Sequence, residues 1–303
     1  MMPMLVIGGA QFGAVYGIAN TTGTPTLEAV RQILRLARDA GVSWIDTARA
    51  YTGSEAAIGE ALLELDGWRP QIATKLPPLG EDERALTAII RGSLAESRRL
   101  LRVDRLDAVL LHRWENFGRE NGLVARMMRE EQAAGRVGVF GVSVQTPEEL
   151  EEALRVEAIG HIQLPFNILD YRWDAVIPEI RRVRRQRPLC VHVRSLLLQG
   201  LLISNNSDHW LRAHVPDSGP VRHWLRQQVR ACCRQNIQDL CFSWGRVQDW
   251  IDGLVVGAET PSQMAENLRN CTTPLLSRKE IDGILISRSK LAEHTLNPAQ
   301  WEP

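Results

Sequence analysis

Lysine is nearly missing from this 303-residue chain: Lys75, Lys279 and Lys290 are the only three among 36 Lys and Arg residues. Net charge is missing as well, because 36 Asp and Glu balance them, so no overall field favours nucleic acid or an anionic membrane. The basic run Arg181, Arg182, Arg184, Arg185 and Arg187 surrounds an apolar stripe of Val176, Ile180 and Val183. It reads as the solvated face of a helix, not a binding patch. The five cysteines, Cys190, Cys232, Cys233, Cys241 and Cys271, contain no C-x-x-C and no metal-type spacing. Neither a disulfide framework nor a metal centre is therefore expected. No apolar run approaches the ~18 residues of a spanning helix, and no basic segment precedes a long apolar one. The expectation is a reduced, cytoplasmic protein without membrane or nucleic-acid partners. H-E-x-x-H, the P-loop and G-x-S-x-G are absent too, which removes the common hydrolases.

What is present is an ordinary globular composition, 44% apolar and 24% charged, and a regular alternation of patterns. Residues 4–13 read as a buried strand running into a glycine turn. Thr26 caps a helix to Ala40 that Gly41 stops. Strand 42–46 and helix 54–65 follow, the latter with Ser54 as a plausible cap, then strand 71–76 ended by Pro77-Pro78. Helix 83–101, strand 106–112, helix 121–134, strand 137–144, helix 147–155 and strand 161–166 continue the order. Helix 174–186 leads to strand 188–195, and a polar insert at 203–217 precedes helices 218–235 and 238–248. Strand 251–257, helix 261–271 and a helix near 278–287 complete the pattern, and 288–303 is a tail without one. Alternating β and α units with short connections imply parallel strands joined by crossovers. Eight units over one chain predict a single-domain α/β fold, a (β/α)8 TIM barrel across residues 1–303. An open doubly wound sheet fits less well, because Gly8-Gly9-x-x-x-Gly13 is not G-x-G-x-x-G and loop follows it.

In such a barrel the reactive face is where the strands' C-terminal ends meet. There the pattern places Asp46, with Tyr51 in the loop beyond, then Lys75, then His112, each closing an apolar run on successive strands. A phenol with a pKa near 10 is a poor acid at neutral pH. A neighbouring ammonium is expected to lower that value, a carboxylate to hold the ammonium, and an imidazole to orient a substrate oxygen. Together they make a general acid for a carbonyl oxygen. Singly, each has a plainer reading: a loop-capping Asp, a packed Tyr, a satisfied His. Lys75 is harder to dismiss in a chain that elsewhere uses arginine, since a guanidinium is larger, planar and always charged.

These residues resemble the aldo-keto reductase family. The matching segments are Asp46-Thr47-Ala48-Arg49-Ala50-Tyr51 with Glu55 and Gly59 downstream, Lys75, and His112. The opening Gly8-Gly9-Ala10-Gln11-Phe12-Gly13-Ala14-Val15-Tyr16-Gly17-Ile18-Ala19-Asn20 is similar to a bacterial subgroup linked to sugar pathways. The resemblance, over about residues 4–271, implies an NAD(P)H-dependent oxidoreductase interconverting a carbonyl and an alcohol, with Tyr51 as general acid/base. It implies that Ser143, Gln163 and Asn167 hold the nicotinamide carboxamide, although Val144 stands where the family has Asn. Arg194-Ser195 replaces the usual stacking aromatic, and a guanidinium plane can stack too. The segment Leu196–Leu202, with Leu197, Gln199 and Gly200, would cover the pyrophosphate. Gly257, Glu259, Gln263, Glu266 and Asn267 would surround the adenosine. Gly257 and Gln263 stand in place of the cations that grip a 2′-phosphate, so NADPH is the family default and NADH a close competitor.

Pocket walls are expected from Phe12, Tyr16, Trp114, Phe117, Tyr171 and Trp173. With Arg49, Arg113, Arg172 and Arg194 nearby, a sugar, keto-sugar or phosphorylated substrate would suit the mouth. The short-chain dehydrogenases are excluded, since the residues four beyond Tyr16, Tyr51 and Tyr171 are Asn20, Glu55 and Ala175 rather than Lys. A dinucleotide-binding regulatory barrel and a redox-neutral epimerase with retained cofactor are the remaining alternatives. Substrate identity, direction and oligomeric state leave no mark on the sequence.

Overall fold

The computed structural model describes residues 4–65, 67–79, 83–118 and 122–301. Eight parallel strands close into a barrel in sequence order: β1 Met4–Gly8, β2 Trp44–Asp46, β3 Gln71–Lys75, β4 Leu106–Leu111, β5 Val137–Ser143, β6 His161–Pro165, β7 Cys190–Arg194 and β8 Gly253–Gly257. The ladder between β8 and β1 seals it, pairing Leu5 with Leu254 and Ile7 with Val256. Expected and observed strand ends agree within two residues; β4 stops at Leu111, which leaves His112 just beyond the ladder.

Local chemistry sets the helices around it. Helix α1 (Leu27–Asp39) is capped by Thr26, whose hydroxyl accepts from the Ala29 amide, and buries Val30, Ile33, Leu34 and Ala37. Gly41 then takes φ +76°, which lets the chain turn off the helix. Helix α2 (Ser54–Leu62) starts where expected, but its cap is Gly53 in the left-handed conformation. The Ser54 hydroxyl instead donates to the Gly9 carbonyl at 2.7 Å. Helices α3 (Glu83–Leu101), α4 (Leu123–Ala133) and α5 (Pro147–Leu154) follow; the expected start of α4 at 121 lies outside the described residues. Helix α6 (Ile177–Gln186) begins three residues later than expected because Pro178 fits only its first turn.

The insert at 203–217 is not wholly irregular. It holds a short helix, α7 (Ser207–Arg212), capped by Asn206 and anchored by the buried Trp210. Helix α8 (Gly219–Ala231) stops short of 235 because Cys233 adopts φ +50°. Helices α9 (Ile237–Arg246), α10 (Pro261–Asn270) and α11 (Arg278–Ser287) complete the ring. The tail beyond α11 packs back, with Leu296 and Thr295 buried. Arg172 donates to the Leu296 carbonyl and Tyr171 to that of Leu291.

Most of the core lies between barrel and helices. A small separate apolar cluster inside the barrel joins Ala73, Ala108 and Leu110, with Trp44 and Val139 against it. The rings of Trp44, His161 and His192 meet edge to face in this interior. No helix among the described residues is long and apolar enough to cross a membrane.

One close approach is testable. A Cβ on Gly59 of α2 would stand 2.0 Å from the Leu100 carbonyl oxygen of α3. Alanine gains up to ~1 kcal/mol of helix propensity over glycine, yet here it must push two packed helices apart. Gly59→Ala should lower stability by ~1–3 kcal/mol, read from urea midpoints; an unchanged or higher midpoint would show that α2 and α3 separate freely.

Candidate active site

Strand register brings the charged groups together. Asp46 pairs with Ala73 on β3, and side chains two apart on a strand share a face. Lys75 therefore stands one rung nearer the barrel mouth than Ala73, over the Asp46 carboxylate. Its Nζ donates to both Asp46 oxygens, at 2.7 and 2.8 Å, and to the Thr47 carbonyl at 3.0 Å. All three ammonium protons are thus engaged at a site where Lys75 is 1% and Asp46 3% exposed. Burial pulls the ammonium's pKa down while the Asp46 charge and hydrogen bonds oppose it.

Tyr51 and His112 complete the group. The Lys75 Nζ lies 5.2 Å from the Tyr51 ring centroid, and the Tyr51 and His112 rings meet edge to face at 6.0 Å. The electrostatics differ from the sequence-based expectation. Burial, followed by the Asp46 carboxylate, raises the Tyr51 pKa, and the cation opposing that rise is Arg194. Burial first, then Lys75 and Arg194, hold the His112 pKa down to about 4, so the ring is neutral at pH 7.

The second layer fixes the first. Glu55, buried at the start of α2, accepts from the Thr74 hydroxyl at 2.6 Å and pairs with Arg49 at 2.5 Å. The Gln163 amide donates to Asp46 Oδ1 at 2.7 Å, which leaves Gln163 Oε1 buried without a partner. Asn167 Nδ2 and His112 Nδ1 are likewise buried and unpartnered. Ser143 ends β5 directly beside Gln163 in the ladder. An orphan acceptor and an orphan donor beneath the mouth fit a bound carboxamide, which offers one of each.

From Asp46 and Tyr51 a cleft of about 320 Å³ runs across the barrel to α10. That lies at the lower end of the ~300–1,000 Å³ of most small-ligand pockets, and its length from the barrel mouth to α10 suits an extended ligand. Arg194, Ser195, Leu197, Gln199 and Gly200 form one wall, and Gly257, Glu259, Gln263, Glu266 and Asn267 another. Ser195, Leu198 and Gln199 all take positive φ, with Gly200 at +89°. Such non-glycine conformations cost roughly 1–3 kcal/mol each and concentrate at functional sites. A Cβ on Gly200 would meet Ala19 at 2.7 Å, and one on Gly257 would strike the Gln11 side chain. Each glycine thus makes room for the loop after β1.

That loop is the part of the site that pattern reading missed. Gln11 and Asn20 line the cleft. Gln199 donates to the Tyr16 hydroxyl at 3.3 Å, and the Thr22 hydroxyl donates to Glu259 at 2.8 Å. Residues 14–25 therefore lie across the cleft, tied to both walls. Gln238 of α9 also lines it and donates to Asn267, which in turn donates to the Gly257 carbonyl. The only available signal was the opening motif itself, whose polar residues have no periodicity.

Of the aromatic wall candidates, Tyr16 lines the cleft. Phe12 and Trp173 are buried in the core, and Trp173 donates to Asp170. Trp114 stacks on Phe117 and donates to Glu152 of α5, while Tyr171 is tied to the tail. As placed, these five pack against the barrel because each finds an apolar or hydrogen-bonding partner there.

The sequence model of the Aldo/keto reductase family matches residues 4–286. Aldo-keto reductase YhdN of Bacillus subtilis is 26% identical, over 92% of this chain and 87% of its own. The aldo-keto reductase AKR11C1 from Bacillus halodurans, in its holo form, superposes with a TM-score of 0.76 at 20% identity, covering 97% of this chain and 95% of that one. The glycerol dehydrogenase AKR11B4 from Gluconobacter oxydans does so at 0.71 and 21%, over 96% and 94%. With the barrel, its mouth and the family match in agreement, the chain belongs to the aldo-keto reductase family of oxidoreductases.

Proposed function

We propose that this protein reduces a polar aldehyde or ketone with a nicotinamide cofactor, using Tyr51 as the general acid. The observation that carries the reading is the convergence of Asp46, Lys75, Tyr51 and His112 at the head of a long cleft. When bound, the reduced nicotinamide supplies a hydride to the carbonyl carbon. The chain does the rest. His112, neutral at pH 7, donates a hydrogen bond to the carbonyl oxygen and orients it. Tyr51 gives that oxygen its proton as negative charge develops, and the phenolate regains one from water. A raised phenol pKa keeps Tyr51 protonated at pH 7, as the acid in a reduction must be. Lys75 and Asp46 position the phenol and supply the nearby charge.

In this reading Gln163, Ser143 and Asn167 hold the carboxamide, Arg194 and Ser195 lie beside the nicotinamide, and Leu197, Gln199 and Gly200 cover the pyrophosphate. Gly257, Gln263, Glu266 and Asn267 surround the adenosine. Glu259 stands there with no lysine or arginine paired to it among the described residues, only Thr22 and Gln263. A carboxylate repels a 2′-phosphate and accepts from a ribose hydroxyl, which favours NADH. Arg194 reaches the same cavity as Tyr51, and the one hydrogen bond of its guanidinium among the described residues, to Ser195, is 3.5 Å long. That half-free guanidinium suits a sugar-like or phosphorylated carbonyl compound.

Three outcomes test this. Tyr51→Phe should reduce turnover ~10²–10⁴-fold with cofactor affinity, read by fluorescence titration, unchanged; wild-type turnover in that variant would sink the acid assignment. Equilibrium titration of the purified protein should show NADH binding at least as tightly as NADPH, and a strong NADPH preference would contradict the role given to Glu259. Ring resonances of His112 should stay at their neutral positions from pH 8 down to about 5 and move only near pH 4. Protonation near pH 6.5 would mean that burial and Lys75 do not govern the ring.

A further inference from the structure

Beneath the catalytic layer, toward the strands' N-terminal ends, the barrel interior holds a second polar cluster. His161 opens β6 and Cys190 opens β7, and the two are direct ladder partners. His192 lies two residues beyond Cys190 and so faces the same side. One nitrogen from each imidazole and the Cys190 sulfur all lie within 4.8 Å of one another. Both histidines are almost wholly buried, and His161 Nε2 and His192 Nδ1 have no hydrogen-bond partner.

This is an unusual filling. Barrel interiors are ordinarily packed with branched aliphatic side chains, and an unsatisfied buried polar atom costs about 1–3 kcal/mol. The chain also makes room for the rings. A Cβ on Gly253 of β8 would come within 2.6 Å of His192 Cδ2 and 2.9 Å of its Nε2. A simple aromatic plug would gain from Trp44 packing but would leave those nitrogens unanswered.

We propose that His161, Cys190 and His192 form a binding site for a borderline-soft first-row transition metal ion of the zinc type. A zinc ion bound at ~2.0–2.1 Å to nitrogen and ~2.3 Å to sulfur needs its ligand atoms roughly 3.3–3.8 Å apart by that geometry. The present separations close to this range with a contraction of about an ångström, within reach of side-chain rotation. Two imidazoles and a thiolate suit zinc, cobalt and copper, and do not suit magnesium or calcium. Binding releases the Cys190 thiol proton to solvent, a route open because that residue is only partly buried. The ion would be structural, tying β6 to β7 one rung below Gln163, and the proposal is independent of the carbonyl chemistry above.

The probe is cobalt(II) added to the full-length, reduced, chelator-treated protein. One equivalent should bind and produce a thiolate-to-cobalt charge-transfer absorption, and zinc should abolish it and raise the melting temperature. Cys190→Ser should lose that absorption and weaken binding by more than roughly 100-fold, beyond the 10–100-fold that outer-shell changes cost. Carbonyl reduction by the metal-free variant should match that of the metal-free parent. His161→Gln provides a second ligand deletion, and circular dichroism shows whether either variant folds. No stoichiometric binding to the folded parent would overturn the proposal, as would an absorption that survives in folded Cys190→Ser.

Discussion

The ion pair between Lys75 and Asp46 is the constraint on which the mouth of the barrel depends. Both groups are sealed from water, and their contact is bidentate, backed by the Thr47 carbonyl and the Gln163 amide. Buried pairs of this kind add little net stability, because desolvation offsets their attraction, yet removing one partner costs about 3–5 kcal/mol. Their retention is better explained by what they fix. Asp46 cannot rotate without stranding the ammonium, Gln163 is held by Asp46, and Tyr51 is seated over the Lys75 charge. The neutral His112 meets that phenol edge to face, so the imidazole and the phenol are held side by side next to the ion pair.

The cleft is rigid in one wall and borrowed in another. Between Ser195 and Gly200 the backbone holds several left-handed residues, a conformation that persists only where surroundings over-determine it. Those surroundings come from the loop after β1: Ala19 against Gly200, Tyr16 against Gln199. The same loop reaches Glu259 through Thr22. A ligand entering the cleft thus meets a strap tied at both ends by exposed hydrogen bonds, which are worth little individually.

Much of this was legible in the sequence, for reasons that differ by element. The strands were found because each is a short apolar run bounded by glycine, proline or charge, and Asp46, Lys75 and His112 stood out by ending such runs. The helix starts at Thr26, Thr146, Thr260 and Ser277 follow from side chains that cap their own backbone. What could not be read depends on contacts between distant segments. Ser54 was a plausible cap until the Gly9 carbonyl claimed its hydroxyl. Trp114 and Phe117 were wall candidates until they stacked on each other. The short helix α7 escaped because its single buried anchor, Trp210, gives no period. The grouping of His161, Cys190 and His192 was invisible for the same reason: metal-ligand patterns are sought along one segment, whereas this one is assembled across a ladder.

The charge balance of the mouth also bears on which protons its groups hold. Two cations, Lys75 and Arg194, face one carboxylate, Asp46, and Lys75 and Asp46 pair at contact distance. Arg194 opposes the rise of the Tyr51 pKa and, with Lys75, contributes to the fall of that of His112. At Tyr51 its influence is weaker than the desolvation it opposes, and at His112 it adds to desolvation, so the phenol holds its proton and the imidazole stays neutral. Forming a phenolate beside the Asp46 carboxylate in a dry cavity is opposed by burial and by that charge, and the guanidinium of Arg194 is the cation that eases it.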